Sequence, residues 1–233
     1  MGHEASRTLE LRPLARRLLD VHQRLFSTYG PQHWWPAETT FEVVVGAILT
    51  QSAAWTNVEK ALHNLRTAGA LSPAALHSLD VGEIARLIRP SGYYNTKARR
   101  LKAFVEMLAA SFESDLDALL ALPEATLRRL LLSTYGVGPE TADSILLYAA
   151  GRPVFVIDAY TRRVFSRLGI RPREDSYHGW QTLFMASLAP DAALFNEYHA
   201  LIVRLAKDVC RKRPCCRLCP LLDDCPTGSL SQA

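Results

Sequence analysis

Apolar positions recur at three- and four-residue intervals along nearly the whole chain, the spacing that lines one face of a helix. Leu11, Leu14, Leu18, Val21 and Leu25 form the first such stripe, and Tyr29-Gly30-Pro31 stops it. Thr39-Thr40-Phe41-Glu42 reads as a capping box ahead of the apolar helix FEVVVGAILT. Trp55, Val58, Leu62 and Leu65 make another face, halted near Gly69. Asp80 to Glu83 opens a further helix that Pro90-Ser91-Gly92 closes. Thr96 to about Glu113 is a longer amphipathic helix with Leu101, Phe104, Val105 and Leu108 inside. Short helices are expected at 115–121 and 123–133, another from Pro139 to Ala150, and later ones near 159–168, 177–188 and 193–209. Only Pro153-Val154-Phe155-Val156-Ile157 looks β-like, and a lone strand has no partner. The pattern predicts an all-α chain.

Length and composition agree with a folded protein of one large or two small domains: 233 residues, 48% hydrophobic and 21% charged. A net charge of +4 tolerates a nucleic-acid partner without demanding one. No apolar run is long enough to span a membrane, and MGHEASRTLELRPLARR lacks the apolar core of a signal peptide, so a cytoplasmic protein is expected. The five cysteines, Cys210, Cys215, Cys216, Cys219 and Cys225, crowd at the C-terminal end. A disulfide framework staples distant segments; crowding instead suits four thiolates around a [4Fe–4S] cluster or a structural zinc ion. Zinc would favour two C-x2-C pairs, and only one is present.

Between the expected helices 123–133 and 139–150 lies Ser133-Thr134-Tyr135-Gly136-Val137-Gly138, followed by Pro139. Glycine serves where the backbone needs positive φ or must approach something closely. Gly136 and Gly138 before a helix start can hold a phosphate oxygen, directly or through a bound monovalent cation; an ordinary αα-hairpin is the plainer alternative. Asp158 precedes the helix Ala159-Tyr160-Thr161-Arg162-Arg163-Val164 and is well placed as its N-cap.

Leu131 to Ala142 resembles the helix–hairpin–helix of the endonuclease III superfamily, and Val154-Phe155-Val156-Ile157-Asp158 resembles the loop that ends in that family's catalytic aspartate. Ala47-Ile48-Leu49-Thr50-Gln51, Gly92-Tyr93-Tyr94-Asn95-Thr96-Lys97-Ala98 and the terminal cysteines match in the same order, so the likeness runs from about residue 40 to 225. It implies the two-domain all-α HhH-GPD glycosylase fold. Residues 40–152 would form a helical barrel with the hairpin at about 123–150, and 1–39 with 153–233 a second domain carrying the cluster loop 210–225. Double-stranded DNA with a damaged base would lie across the cleft between them, bound by a monomer. Asp158 would be the catalytic carboxylate, stabilising an oxocarbenium-like transition state or activating water.

One departure matters. Members that also cut the strand carry a lysine where this chain has Glu140, and glutamate cannot form an imine. The resemblance therefore implies a monofunctional glycosylase with weak or absent AP lyase activity. The rivals are a bifunctional enzyme on oxidised pyrimidines and a non-catalytic, structure-specific DNA-binding paralogue. The family places DNA-interposing residues at Gln51 and Tyr93. Trp34, Trp35 and Trp55, with Lys207, are candidates for a base pocket, where aromatic rings favour a cationic alkylated purine. The set is similar to a branch acting on 3-methyladenine; oxidised pyrimidines or a mismatched base are the other candidates. The family's C-x6-C-x2-C-x5-C loop binds [4Fe–4S]. Keeping its C-x2-C spacing selects Cys210, Cys216, Cys219 and Cys225 and leaves Cys215 spare, although the first gap is one residue short. Arg211, Lys212 and Arg213 on that loop are candidate phosphate contacts.

Overall fold

A computed structural model describes residues 2–230, with side chains for 13–229, so the side chain of Leu11 lies outside the described part. Every regular element among the described residues is a helix, with no strand among them. The chain divides into two compact units, Met1–Trp34 with Pro153–Ala233, and Trp35–Arg152.

The second unit holds α2 (Thr40–Leu49), α3 (Trp55–Thr67), α4 (Pro73–Ser78), α5 (Val81–Leu87), α6 (Tyr94–Phe112), α7 (Leu116–Leu120), α8 (Glu124–Ser133) and α9 (Pro139–Ser144). Helix α2 is buried from Phe41 to Leu49, which explains its nearly unbroken apolar sequence. Its expected capping box is only half formed. Thr39 Oγ1 accepts from the Glu42 amide at 3.2 Å, but the Glu42 carboxylate accepts from the Glu38 amide at 2.6 Å and from Arg66 at 2.6 Å instead of closing back on Thr39. Asp80 and Glu83 do form a complete box at the start of α5. Helix α4, capped by Ser72 with Pro73 in its first turn, is an element the apolar pattern did not predict.

The expected single helix 139–150 changes pitch. After α9 the backbone widens into a π-helical turn at Ile145–Ala149, and Ala150 N–H reaches back to Ile145 O at 3.0 Å. Such insertions re-aim side chains locally. Below this turn, Arg128 from α8 grips the fully buried Asp143 with two bonds of 2.7 and 3.1 Å, the fork geometry that lets a carboxylate lie inside a core.

The first unit holds α1 (Gly2–Tyr29), α10 (Ala159–Arg167), α11 (Tyr177–Met185), α12 (Ala192–Asp208) and α13 (Pro226–Leu230). The β-like run 153–157 is not a strand. It is an extended rod through this unit's helices, with Val154, Phe155, Val156 and Ile157 all buried. Side chains take the place of a neighbouring strand: Gln181 Nε2 donates to Phe155 O at 3.0 Å, and the Tyr177 hydroxyl accepts from Ile157 N–H at 3.4 Å. Phe155 stacks on Phe184 at 4.1 Å and meets Phe195 and Tyr198 edge-on. Tyr198 in turn donates to Leu18 O of α1 at 2.6 Å, joining the N-terminal helix to this core.

Phe155 is thus the hub that fixes the rod ending at Asp158. Phe155→Ala is expected to cost about 3–5 kcal/mol of unfolding free energy in urea denaturation, the usual range for emptying a buried aromatic site.

Candidate functional site

Asp158 ends the buried rod and begins α10. Its Oδ1 accepts from the Thr161 amide at 2.7 Å, the N-cap bond foreseen from the sequence. Its Oδ2 lies 3.6 Å from Nε2 of His199, a residue of α12 that the sequence reading did not single out. The carboxylate side chain keeps 12% exposure. Burial pushes its pKa up, but the His199 charge and contact and the Thr161 bonds outweigh burial and hold it below the ordinary carboxylate value. An ionised, mostly desolvated carboxylate in fixed orientation can stabilise a nearby cation or hold a water molecule by accepting its proton. Lys207, in the last turn of the same α12, is exposed and has no described contact with Asp158.

The hairpin joins α8 to α9 through Thr134–Gly138. Gly136 has φ +80°, and a Cβ there would overlap the Arg100 side chain at 2.2 Å, so both conformation and packing require glycine. Gly138 differs. Its φ is −93° and an added Cβ would meet no protein atom within 4 Å, so neither strain nor internal packing accounts for it. Gly138, Pro139 and Glu140 are all exposed, with Glu140 in the first turn of α9. Gln51, just past α2, donates to Gly136 O at 3.2 Å and Thr141 Oγ1 at 2.8 Å, so it is tied to this hairpin. Tyr93 is 75% exposed with φ +47° and sits at the cap of α6.

The tryptophans divide. Trp34 belongs to the first unit, whereas Trp35 and Trp55 share the second. Their rings meet edge-on at 5.3 Å, and Tyr148 from the π-turn adds a third ring 5.2 Å from Trp35. Trp55 Nε1 donates to Glu59 at 2.8 Å. Gly46, in the middle of α2, makes room for this group: a Cβ there would come within 2.9 Å of the Trp35 indole. Tyr148 escaped the sequence reading because a regular helix gives no sign of the pitch change that turns it toward Trp35.

Cys210, Cys216, Cys219 and Cys225 line one recess together with Val209, Pro214 and Leu222. Cys215 is not part of that lining; its Sγ accepts from Arg211 Nη2 at 3.1 Å. Burial pushes the Cys219 thiol up, with the other three lining thiols adding to the effect. Among the described residues no three His, Cys, Asp or Glu side chains stand in metal-coordinating geometry. The donor chemistry nonetheless fits a thiolate-held group: four sulfurs, apolar walls, and Arg167 directed at Cys210 Sγ from 3.2 Å. Arg163 and Arg167 of α10 also hold the carbonyls of Cys210, Arg211 and Lys212, leaving the side chains of Arg211, Lys212 and Arg213 exposed.

The depressed pKa of Asp158 has a definite sign. Its contribution to stability is present above the ordinary carboxylate pKa and is lost as pH falls through the lower folded value. Asp158→Asn keeps the cap but removes the charge. The difference in urea unfolding free energy between wild type and this variant should shrink as the pH is lowered into the acid range.

Comparison with known proteins gives a consistent result. Residues 45–190 match the model of the HhH-GPD superfamily base excision DNA repair proteins. A Methanocaldococcus jannaschii protein assigned as a DNA repair glycosylase is 44% identical, over 88% of this chain and 94% of its own length. Endonuclease III of Sulfolobus acidocaldarius is 30% identical, over 79% and 81%. Among solved structures, Helicobacter pylori 3-methyladenine DNA glycosylase (MagIII) bound to 1,N6-ethenoadenine aligns with a TM-score of 0.70 and 28% identity, covering 84% of this chain and 96% of that one. The chain belongs to the HhH-GPD superfamily of base excision DNA repair proteins.

Proposed function

We propose that this DNA glycosylase is monofunctional: it hydrolyses the N-glycosidic bond of a flipped base and leaves an abasic site. The carrying observation is Asp158, whose ionised carboxylate is held by Thr161 and His199 at the start of α10. As the base departs, positive charge grows on the sugar. A fixed carboxylate stabilises that charge and orients the attacking water. Glu140 supplies no amine at the hairpin, so a Schiff-base step has no nucleophile there. The open space at Gly138 supports close approach of a phosphate to the hairpin backbone, an approach that a side chain would obstruct. The basic loop 211–213 adds phosphate contacts of the sequence-independent kind.

The favoured substrate is an alkylated purine. The cluster of Trp35, Trp55 and Tyr148 offers electron-rich faces, which attract a purine made cationic by alkylation more than a neutral base. The likeness to a glycosylase whose structure holds 1,N6-ethenoadenine points to the same class of base. Cys210, Cys216, Cys219 and Cys225 would hold a [4Fe–4S] cluster, whose part is to stiffen the loop, since hydrolysis moves no electron. The endonuclease III relative favours one second reading, a glycosylase/lyase on oxidised pyrimidines.

Base release, measured by mass spectrometry from duplexes carrying alkylated, oxidised or mismatched bases, separates these readings. The expected product is a free alkylated purine, with no covalent adduct trapped by borohydride. Release of oxidised pyrimidines with trapping would establish the second reading. Asp158→Asn should lower release by about 100-fold or more while leaving duplex binding intact, the scale of losing a transition-state electrostatic contact. For the cluster, absorbance at roughly 400 nm is expected in the purified protein and in Cys215→Ser, and should be lost in Cys216→Ser. Stoichiometric zinc in a colourless protein would overturn the assignment.

A further inference from the structure

Lys97, in the first turn of α6, is 1% exposed. Its ammonium donates to Leu49 O at 2.8 Å and to Ser91 O at 2.6 Å. Both carbonyls stand at the ends of helical segments, α2 and the short 3-10 turn Arg89–Ser91, where backbone acceptors lack partners within the helix and a cation is favoured. Leu49 is two residues before Gln51, and Ser91 is two residues before Tyr93. Beyond each anchor the backbone enters the left-handed region, at Ser52 (φ +54°) and at Gly92 and Tyr93 (φ +67° and +47°). One buried cation therefore pins the roots of both loops that carry the candidate interposing side chains.

We infer that Lys97 is a positioning residue for duplex opening, holding Gln51 and Tyr93 at a fixed separation so that they fill the space of an extruded base together. The inference rests on the glycosylase reading above. Lys97 touches neither the base nor the sugar in this scheme; it acts through the two loops. Burial, with the neighbouring Arg100 charge, lowers its pKa to about 8. Arg100 is the neighbouring charge, and the groups that face Lys97 from α2 and from the 89–91 turn are the two carbonyl oxygens.

The test compares single-turnover release of one alkylated purine from two duplexes, one with the lesion paired and one with it opposite an abasic site, where no partner must be displaced. Lys97→Met is expected to slow release from the paired duplex by about tenfold or more and to leave the unpaired one within about threefold, the cost of misplaced positioning groups. Added to Gln51→Ala and Tyr93→Ala, it should cost little further, because residues acting as one unit are not additive. Equal losses on both duplexes would overturn the inference and leave Lys97 a purely structural residue. Should the variant fail to fold, wild type alone decides. The paired-to-unpaired rate ratio is expected to fall as pH rises through about 8 and the ammonium is lost, and a flat ratio overturns the inference. A wild-type protein that releases the alkylated purine from neither duplex removes the alkylated-purine reading and the inference with it.

Discussion

A carboxylate that must stay charged while nearly enclosed is the constraint on which the first unit depends. Asp158 meets it with the Thr161 amide on one oxygen and His199 near the other. Everything around it serves that placement. The buried rod 153–157 delivers the residue, the stacked Phe155 and Phe184 fix the rod, and α10 offers the free amide. An N-cap wants a negative charge held by backbone donors, which is also what the role proposed for Asp158 requires.

Helix α10 extends this logic to the cysteine loop. Asp158 caps its start and, further along it, Arg163 and Arg167 hold the carbonyls of Cys210, Arg211 and Lys212. The guanidinium groups satisfy backbone acceptors that a loop without regular structure would leave unpaired. The loop's conformation is thereby linked to the same short helix that orients the carboxylate.

Much of this was legible in the sequence because its signals are local. Helical periodicity located most helices and Asp158 showed as an N-cap, while the choice of Cys216 over Cys215 came from the resemblance to the family's C-x2-C spacing. What was not legible depends on partners far along the chain. His199 lies 41 positions after Asp158 and looks from sequence like one polar residue on an apolar helix. Tyr148 needs the π-turn to face Trp35, and Glu42 completes no capping box because Arg66 and the Glu38 amide compete for it. The run 153–157 looks β-like because burial on all sides selects the same β-branched and aromatic residues as a sheet does.

Gly46 carries a consequence of another kind. Glycine inside a helix costs roughly 1 kcal/mol relative to alanine, yet α2 accepts it in its buried middle, where the Trp35 indole fills the notch. The aromatic wall is therefore held in place by a missing methyl group. Adding that methyl would favour the helix by propensity and evict the ring, so local stability and the shape of the wall pull in opposite directions at a single carbon.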